Sequence, residues 1–230
     1  MRVLKYVVGL LVLAGAGFFA FIYFSGGSGE PSTSLTTPTI AGGTTGASGS
    51  GTQFVIVPEE STASFSIFEV LRGADNTVLG TTHEVAGQVQ IDPADPSSAQ
   101  ISEIVINART FVTDSSNRDR AIRSPIVLDS AGDDFEFIRF MPTAIEGLSG
   151  PIEVGQEVSF TVTGDLSIKG TTQSVLFDVT AVLETDDRLS GQASTEVTRA
   201  DFGIGIPNAP GVASVGEEVQ LTFDFVAVRS

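Results

Sequence analysis

Apolar and polar residues alternate along two runs, residues 158–168 and 173–183, and this period of two predicts two β-strands. The first run places Val158, Phe160 and Val162 on one face, and the sequence KGTT at 169–172 then forms a short polar turn. One apolar face of the second run comprises Val175, Phe177, Val179, Ala181 and Leu183, while the positions between them are mixed: Leu176, Asp178, Thr180 and Val182. Two strands joined by such a turn are typical of an antiparallel hairpin. Each run exceeds ten residues, which is long for a sandwich strand and suits the wall of a barrel.

The same alternation predicts further strands along the chain. They cover residues 54–57, 63–70, the later part of 78–91, 101–107, 135–141, 191–199 and 217–228. Gly87 predicts a bulge, the sequence DPADP at 92–96 a turn, and Pro142 the end of the strand before it. Residues 114–124 break the pattern and predict a short helix with Asp114 as its N-cap. Eight or nine strands with one or two short helices predict an all-β fold, an extended antiparallel β-barrel of about eight strands.

The N-terminal residues lack this alternation. Residues 6–24 form an uncharged apolar run of 19 residues behind Arg2 and Lys5, which matches the length of a membrane-spanning helix. A cleaved signal peptide is the alternative, but the run ends in bulky residues where a signal peptidase requires small ones. We therefore expect residues 1–24 to be an uncleaved anchor in the plasma (inner) membrane. The two basic residues place the N-terminus in the cytoplasm and the rest of the chain outside it.

Residues 25–51 have the composition of a flexible linker. Of these 27 residues, 8 are Gly, 6 are Ser and 6 are Thr, and Glu30 carries the only charge. A flexible chain of this length has a root-mean-square span of roughly 30 Å. We therefore expect residues 52–230 to form one globular domain that turns freely against the bilayer.

Composition narrows the possible functions. The net charge of −16 argues against nucleic-acid binding, which needs a basic surface. The absence of Cys excludes disulfides, thiolate metal sites and a thiol nucleophile. The chain has 16 Phe but no Trp, and both Tyr lie in the apolar N-terminal run. Phenylalanine has no polar atom, so these rings belong either in a filled core or in an apolar cavity, and the sequence leaves both open.

The candidate functional residues fall into two groups. Apolar residues on the inward face of the predicted strands are candidates for a cavity lining. They are Phe65, Ile67, Val158, Phe160, Val162, Leu166, Ile168, Val175, Phe177, Val179, Leu221, Phe223 and Phe225. Arg118, Asp119 and Arg123 on the predicted helix form the second group, in which Asp119 and Arg123 are four residues apart and can pair. This pair either pins the helix to the barrel or belongs to a polar rim that orients a ligand head group.

Several motifs, taken in order, resemble the YceI-like family, a family of lipocalin-like proteins associated with polyisoprenoid binding. The resemblance spans about residues 52–229. The motifs are the DPADP turn at 92–96, RDRAIRS at 118–124, GDLSIKGTT at 164–172, RADFGI at 199–204 and VGEEV at 215–219. Two departures are Ala121, where many members carry His, and the sequence PEES at 58–61, where the family often has a DxxHS motif.

The resemblance implies an extended lipocalin-like barrel whose apolar interior takes a long isoprenoid chain. We therefore expect an anchored extracytoplasmic carrier of a polyprenyl lipid or an isoprenoid quinone, with no catalytic residues, metal or cofactor beyond the bound lipid. The alternative is a structural or protein-interaction module on a membrane stalk, without a ligand cavity. The sequence leaves the oligomeric state open, with a homodimer as one arrangement.

Overall fold

The computed structural model of the chain describes residues 17, 20–21, 24–40, 51–207 and 211–230. Residues 51–230 are mostly antiparallel β-structure. The strands are β1 (Thr52–Ile56), β2 (Thr62–Leu71), β3 (Ala74–Thr82), β4 (Val85–Ala86), β5 (Gln88–Ile91), β6 (Gln100–Ile101), β7 (Ile104–Asn107), β8 (Phe137–Glu146), β9 (Glu157–Ile168), β10 (Thr171–Thr185), β11 (Arg188–Thr198) and β12 (Val212–Arg229). The helix α1 (Ser116–Arg123) lies between β7 and β8.

These strands form one curled antiparallel sheet with the shape of a half-barrel. The wall consists of β8, β9, β10, β11 and β12, which are hydrogen-bonded in that order. Beyond β8 the sheet continues through β7 to β4. On its other side β12 pairs with two strands in succession, because residues 212–224 face β2 and residues 227–229 face β1. The sheet then continues from β2 to β3 and from β1 to β5 and β6.

The course of β12 defines the two ends of the barrel. At the helix end, β12 begins at Val212 opposite Leu71 of β2, and α1 lies close to β2 through the ion pair of Arg118 with Glu69. At the far end, β12 reaches Arg229 opposite Phe54, and β1 begins two residues beyond that pair, at Thr52. The 18 residues of β12 separate these ends by at most roughly 56 Å, at about 3.3 Å for each step from one residue to the next.

The predicted hairpin is confirmed. Strands β9 and β10 pair continuously from Ile168 and Thr171 to Glu157 and Val182. Only Lys169 and Gly170 lie outside the ladder, with φ angles of 50° and 75°. Positive φ at both central residues is the geometry of a type I′ turn, whose twist matches that of the strands it joins. The turn is therefore two residues shorter than the sequence indicated, since Thr171 and Thr172 belong to β10.

The prediction of about eight strands was too low, because two stretches change partners along their length. Residues 78–91 divide into β3, β4 and β5, which pair with β2, with β7, and with β1 and β6, respectively. Gly87 marks the last break, where its carbonyl accepts a hydrogen bond from the Ile56 amide at 3.1 Å. Residues 101–107 likewise divide into β6 and β7, which pair with β5 and β8. Twelve strands result within the described residues.

Two predicted boundaries were wrong for local reasons. Strand β8 continues through Pro142 to Glu146, because β7 pairs only as far as Phe140 and the prolyl nitrogen loses no ladder bond. The register against β9 shifts just after Pro142. Helix α1 begins at Ser116 with Ser115 as its N-cap, whereas Asp114 forms an ion pair with Arg118 one turn later.

Most of the predicted anchor at 6–24 lies outside the described residues. Within the described residues, no helix has the length and apolar character needed to cross a membrane. Part of the predicted linker is hydrogen-bonded to the barrel domain. The carbonyl of Gly26 accepts a hydrogen bond from Arg123, and Ser32 is hydrogen-bonded to Glu136.

Candidate functional site

The interior of the half-barrel contains a cavity of about 800 Å³. Its walls come mainly from β2, β9, β10, β11 and β12, and α1 contributes to its helix end. Pockets for small ligands range from about 300 to 1,000 Å³, so this volume lies in the upper part of that range. The inward side chains therefore do not fill the interior, and the choice that the sequence left open is decided in favour of a cavity.

The phenylalanine rings pack along the wall of this cavity. Phe140 and Phe177 form an edge-to-face pair with ring centroids 4.9 Å apart. Phe65 and Phe111 form a second such pair at 5.3 Å, and the rings of Phe223 and Phe225 are tilted at 5.7 Å. Such pairs gain about 0.5–1.5 kcal/mol beyond the burial of their area. The rings are thus stabilised by their neighbours on the wall while their free faces stay toward the void.

All but one of the interior candidates from the sequence line the cavity. The lining candidates are Phe65, Ile67, Val158, Phe160, Val162, Leu166, Ile168, Phe177, Val179, Leu221, Phe223 and Phe225. Val175 does not line it and packs instead against the apolar cluster around Ile168 and Phe202 at the helix end. Alternation identified the lining because the same face of β9 from Val158 to Ile168, of β10 from Phe177 onward and of β12 from Val219 to Phe225 is turned inward.

The sequence analysis missed lining residues that lie outside the long strands. Phe111, Ala121 and Ile122 come from the segment around α1. Others are Ile104, Ile106, Ile138, Phe140, Phe202, Ile204 and Ile206. The alternation of 135–141 contained the signal for Ile138 and Phe140, and the RADFGI motif contained Phe202 and Ile204. The segment around α1 has too few apolar residues for periodicity to reveal its inward side.

The charged residues of the lining all belong to the helix end. Within the described residues they are Glu69, Arg72, Asp114, Arg118 and Arg199. The rest of the lining is apolar apart from a few Ser, Thr and Asn side chains. The cavity therefore has one charged end and an apolar body, an arrangement suited to an amphipathic ligand with a polar head and a long apolar tail.

Glu69 is the central residue of the charged end. It is only 4% exposed, and its carboxylate accepts hydrogen bonds from Asn76 Nδ2 at 2.8 Å and from Arg118 Nη2 at 3.1 Å. Arg118 also pairs with Asp114. The sequence analysis overlooked Glu69, although an acid two residues after Ile67 and four after Phe65, on the same face, was a visible signal. A buried acid on an otherwise apolar face needs a partner, and Arg118 supplies it.

Of the three rim candidates, only Arg118 lines the cavity. Asp119 is buried, and its Oδ1 accepts hydrogen bonds from the Thr113 amide at 2.8 Å and the Thr113 hydroxyl at 2.7 Å. Arg123 is also buried, and its Nε donates to the Gly26 carbonyl at 2.6 Å. Burial lowers the pKa of Arg123, the charge of Asp119 opposes that shift, and Arg120 adds to it. The expected Asp119–Arg123 ion pair is not among those that the described residues form, because other partners hold both side chains.

Comparison with known proteins agrees with this architecture. The model of the YceI-like domain family matches residues 54–227. A UPF0312 protein of Azotobacter vinelandii is 27% identical over 181 residues, covering 76% of this chain and 86% of the relative. A UPF0312 protein of Shewanella denitrificans is 29% identical over 143 residues, covering 60% of this chain and 70% of the relative.

Two solved structures share the fold. BcnA of Burkholderia cenocepacia superposes with a TM-score of 0.61 at 20% identity, covering 75% of this chain and 99% of BcnA. A polyisoprenoid-binding domain from Saccharophagus degradans superposes with a TM-score of 0.57 at 12% identity, covering 78% of this chain and 99% of that domain. At these identities the likeness concerns the fold alone.

Proposed function

Because this chain belongs to the YceI-like domain family, a family of binding domains, we propose that it binds the tail of an isoprenoid lipid in its cavity. The protein acts as a carrier that is anchored in the plasma membrane by residues 6–24 and works on the extracytoplasmic side. The bound molecule is a polyprenyl lipid or an isoprenoid quinone. No step of this function requires a catalytic group or a cofactor.

The observation that supports this proposal is the cavity itself, with its apolar body and its single charged end. Burial of one CH₂ group contributes about 0.8 kcal/mol, so a tail of several isoprene units binds without any specific polar contact. The polar head of the lipid then lies at the helix end, beside Glu69 and Arg118. In this orientation, no charged wall residue contacts the tail.

The charge of the helix end bears on the kind of head group. Arg118 already pairs with Glu69 and Asp114, and Arg199 pairs with Glu217. A phosphate or pyrophosphate head would have to compete with these carboxylates for Arg118 and Arg199 in a protein whose net charge is −16, and of the lining cations only Arg72 is in none of the ion pairs found among the described residues. A head that is neutral and accepts hydrogen bonds, such as a quinone ring, meets no such competition and can accept a bond from Arg118.

The alternative function, a structural module without a ligand, requires a filled interior. The cavity of about 800 Å³ is evidence against it. Filling so large a void with side chains would gain dispersion energy that the observed arrangement forgoes. A void of this size is expected where a ligand occupies it for part of the protein's working cycle.

The proposal can be tested by blocking the cavity from one strand. Ala193 on β11 lines the cavity, whereas Gln192 next to it is exposed on the outer face. The full chain is expressed in membranes, purified in a mild detergent and extracted with organic solvent for mass spectrometry. The native protein is expected to retain isoprenoid lipid, A193W to lose at least tenfold of it, and Q192W to retain the native amount.

Two results would contradict the proposal. One is a native protein whose extract contains no isoprenoid lipid above the level of an unrelated anchored protein. The other is an A193W variant that folds, as judged by its far-ultraviolet circular dichroism, and still retains the native amount.

A further inference from the structure

Residues 26–32, which we call the strap, lie against the helix end of the barrel. At one end of the strap, the Gly26 carbonyl accepts a hydrogen bond from Arg123 Nε at 2.6 Å. In the middle, the Glu30 carbonyl lies 3.5 Å from Arg109 Nη1. At the other end, the Ser32 amide donates to Glu136 Oε1 at 2.9 Å, and its hydroxyl donates to the same carboxylate. Three side chains that are distant from the strap in sequence thus form hydrogen bonds with this one short segment.

At the glycines of the strap, the structure has no room for a side chain or needs a positive φ angle. Gly26 is buried, and a Cβ at this position would overlap the carbonyl oxygen of Arg120 on α1. Gly27 and Gly29 have φ angles of 59° and 87°, in the left-handed region that glycine adopts without strain. A Cβ at Gly29 would also lie 2.9 Å from Arg123 Nη1. The strap therefore fits closely against α1, and this fit depends on glycine at positions 26 and 29.

The site that receives Ser32 is a buried polar cluster. Glu136 and Asn107 are both fully buried, and Asn107 Nδ2 donates to Glu136 Oε1 at 2.8 Å. Arg109 Nη2 lies 3.3 Å from Glu136 Oε2. Burial by itself raises the pKa of Glu136, but the bonds from Ser32 and Asn107 and the charge of Arg109 outweigh it and hold the pKa below its ordinary value. Glu136 therefore remains ionised, and the strap supplies two of its hydrogen bonds.

The position of the strap relates the barrel to the predicted anchor. Only Ser25 separates Phe24, the last residue of the predicted span, from Gly26, which is hydrogen-bonded to Arg123 of α1. Two peptide steps reach about 7 Å, so Gly26, which contacts α1, lies within that distance of the end of the span. Without the strap, the nearest fixed point of the domain would be Thr52 at the far end, at most roughly 56 Å away along β12. Docking of the strap thus selects which end of the barrel lies next to the anchor.

We propose that the strap holds the helix end of the barrel against the bilayer that carries the anchor, so that the cavity opens toward that membrane beside Arg118. The partner of this surface is the leaflet from which residues 6–24 emerge. The inference rests on the anchor of the proposed function. A lipid entering tail first from this leaflet crosses no bulk water, and its head group stays at the membrane interface.

The test measures the orientation of the full chain in a membrane. The protein contains no Cys, so single cysteines can be placed at the exposed Ser116 of α1 and at the exposed Asp186 of the far end. The full chain is inserted into phosphatidylcholine–phosphatidylglycerol vesicles that contain a trace of head-group-labelled acceptor lipid. A donor dye on S116C is expected to transfer energy at least fivefold more efficiently than the same dye on D186C.

A matched pair of glycine variants tests the strap itself. G26A places a methyl group against the Arg120 carbonyl, and the transfer efficiencies from the two dye positions are expected to converge. G132A is the control, since a Cβ at Gly132 meets nothing within 4 Å, and the native ratio should persist. S32A removes only the hydrogen bond of the Ser32 hydroxyl to Glu136, and it should shift the ratio of the two transfer efficiencies partway. This milder variant keeps the test valid if G26A folds poorly.

The possible failures are distinguishable. If the chain does not float with the vesicles, the anchor is wrong and this inference fails with it. If the chain floats but the two dyes transfer equally, the orientation fails while the anchor stands. If the dyes differ but both G26A and S32A leave the ratio unchanged, the orientation stands and the strap does not set it. If the native protein retains no isoprenoid lipid but the dye on S116C transfers more, the orientation stands and the proposed ligand is wrong.

Discussion

The ring of Phe65 on β2 lies over Gly80, its direct cross-strand neighbour on β3, and a Cβ at Gly80 would overlap that ring. The same relationship occurs between Phe225 and Gly191, where a Cβ would lie 2.6 Å from Phe225 Cζ. A glycine opposite each ring lets the phenylalanine lie flat along the sheet. These glycines therefore help to keep the cavity open, because a ring that could not lie flat would turn into the void.

G80A should displace the Phe65 ring into the cavity. We expect a loss of about 1–3 kcal/mol in the free energy of unfolding, as for other overpacked interiors, together with a smaller amount of retained lipid. Urea unfolding and solvent extraction measure the two effects. G132A, whose methyl group meets no neighbour, should be neutral or slightly stabilising. A G80A protein that is as stable as G132A would refute the role assigned to Gly80.

F177D and L176D test which face of β10 is inward. Phe177 lines the cavity, whereas Leu176 is 49% exposed on the outer face. A carboxylate in the apolar cavity loses its hydration, so we expect F177D to cost several kcal/mol and to abolish lipid retention. L176D should change the unfolding free energy by less than about 0.5 kcal/mol. Thermal unfolding in detergent makes the comparison, and equal destabilisation by the two variants would contradict the assignment.

The pair of Arg118 with Glu69 should behave as a coupled unit. R118A leaves Glu69 with Asn76 alone, and we expect a cost of about 3 kcal/mol, near the lower limit for a broken buried pair, because the Arg118 side chain is 21% exposed. The double variant E69Q/R118Q removes both charges and should be less destabilised than R118A. A double-mutant cycle of E69Q, R118Q and E69Q/R118Q, measured by urea unfolding, gives the coupling free energy of the pair. R118A with native stability and native lipid affinity would remove Arg118 from the head-group site.

Glu136 should make the docking of the strap dependent on pH. Its pKa is held below the ordinary value of 4.5, so its contribution to stability is complete above pH 4.5 and is lost as the pH falls through the lower folded value. In G26A the bonds from Ser32 weaken, and the pKa of Glu136 should rise. Carbon-detected NMR titration of the Glu136 carboxyl in detergent micelles measures this change. An unchanged pKa in G26A would show that Ser32 does not hold the carboxylate.

Much of the barrel wall could be predicted from the sequence. Phe160, Phe177 and Phe223 face inward as the alternation indicates, because a strand that keeps its pairing partner sends every second side chain to the same side. Boundaries failed where the partner changes, as at Gly87, since local alternation contains no information on which strand lies opposite.

Residues 26–32 show what composition alone leaves undecided. Glycine and serine in residues 26–32 predicted a mobile chain, yet Gly27 and Gly29 provide left-handed turns that fit the segment against α1. The same residue type allows disorder and allows a tight fit. The choice between them depends on whether partners such as Arg123 and Glu136 are in place, and both lie about a hundred residues away in the sequence.

By itself, the sequence determined that the domain is an antiparallel β-structure with one oily face on each long strand, since that follows from the order of side chains along an extended chain. Only the tertiary structure decided that these apolar faces enclose a void instead of packing against one another. That outcome depends on the curvature of the sheet and on where each ring rests on the neighbouring strand. The tertiary structure also decided that Glu69, Arg118 and the strap all lie at the helix end, because residues that are distant in the chain become neighbours only when the sheet curls.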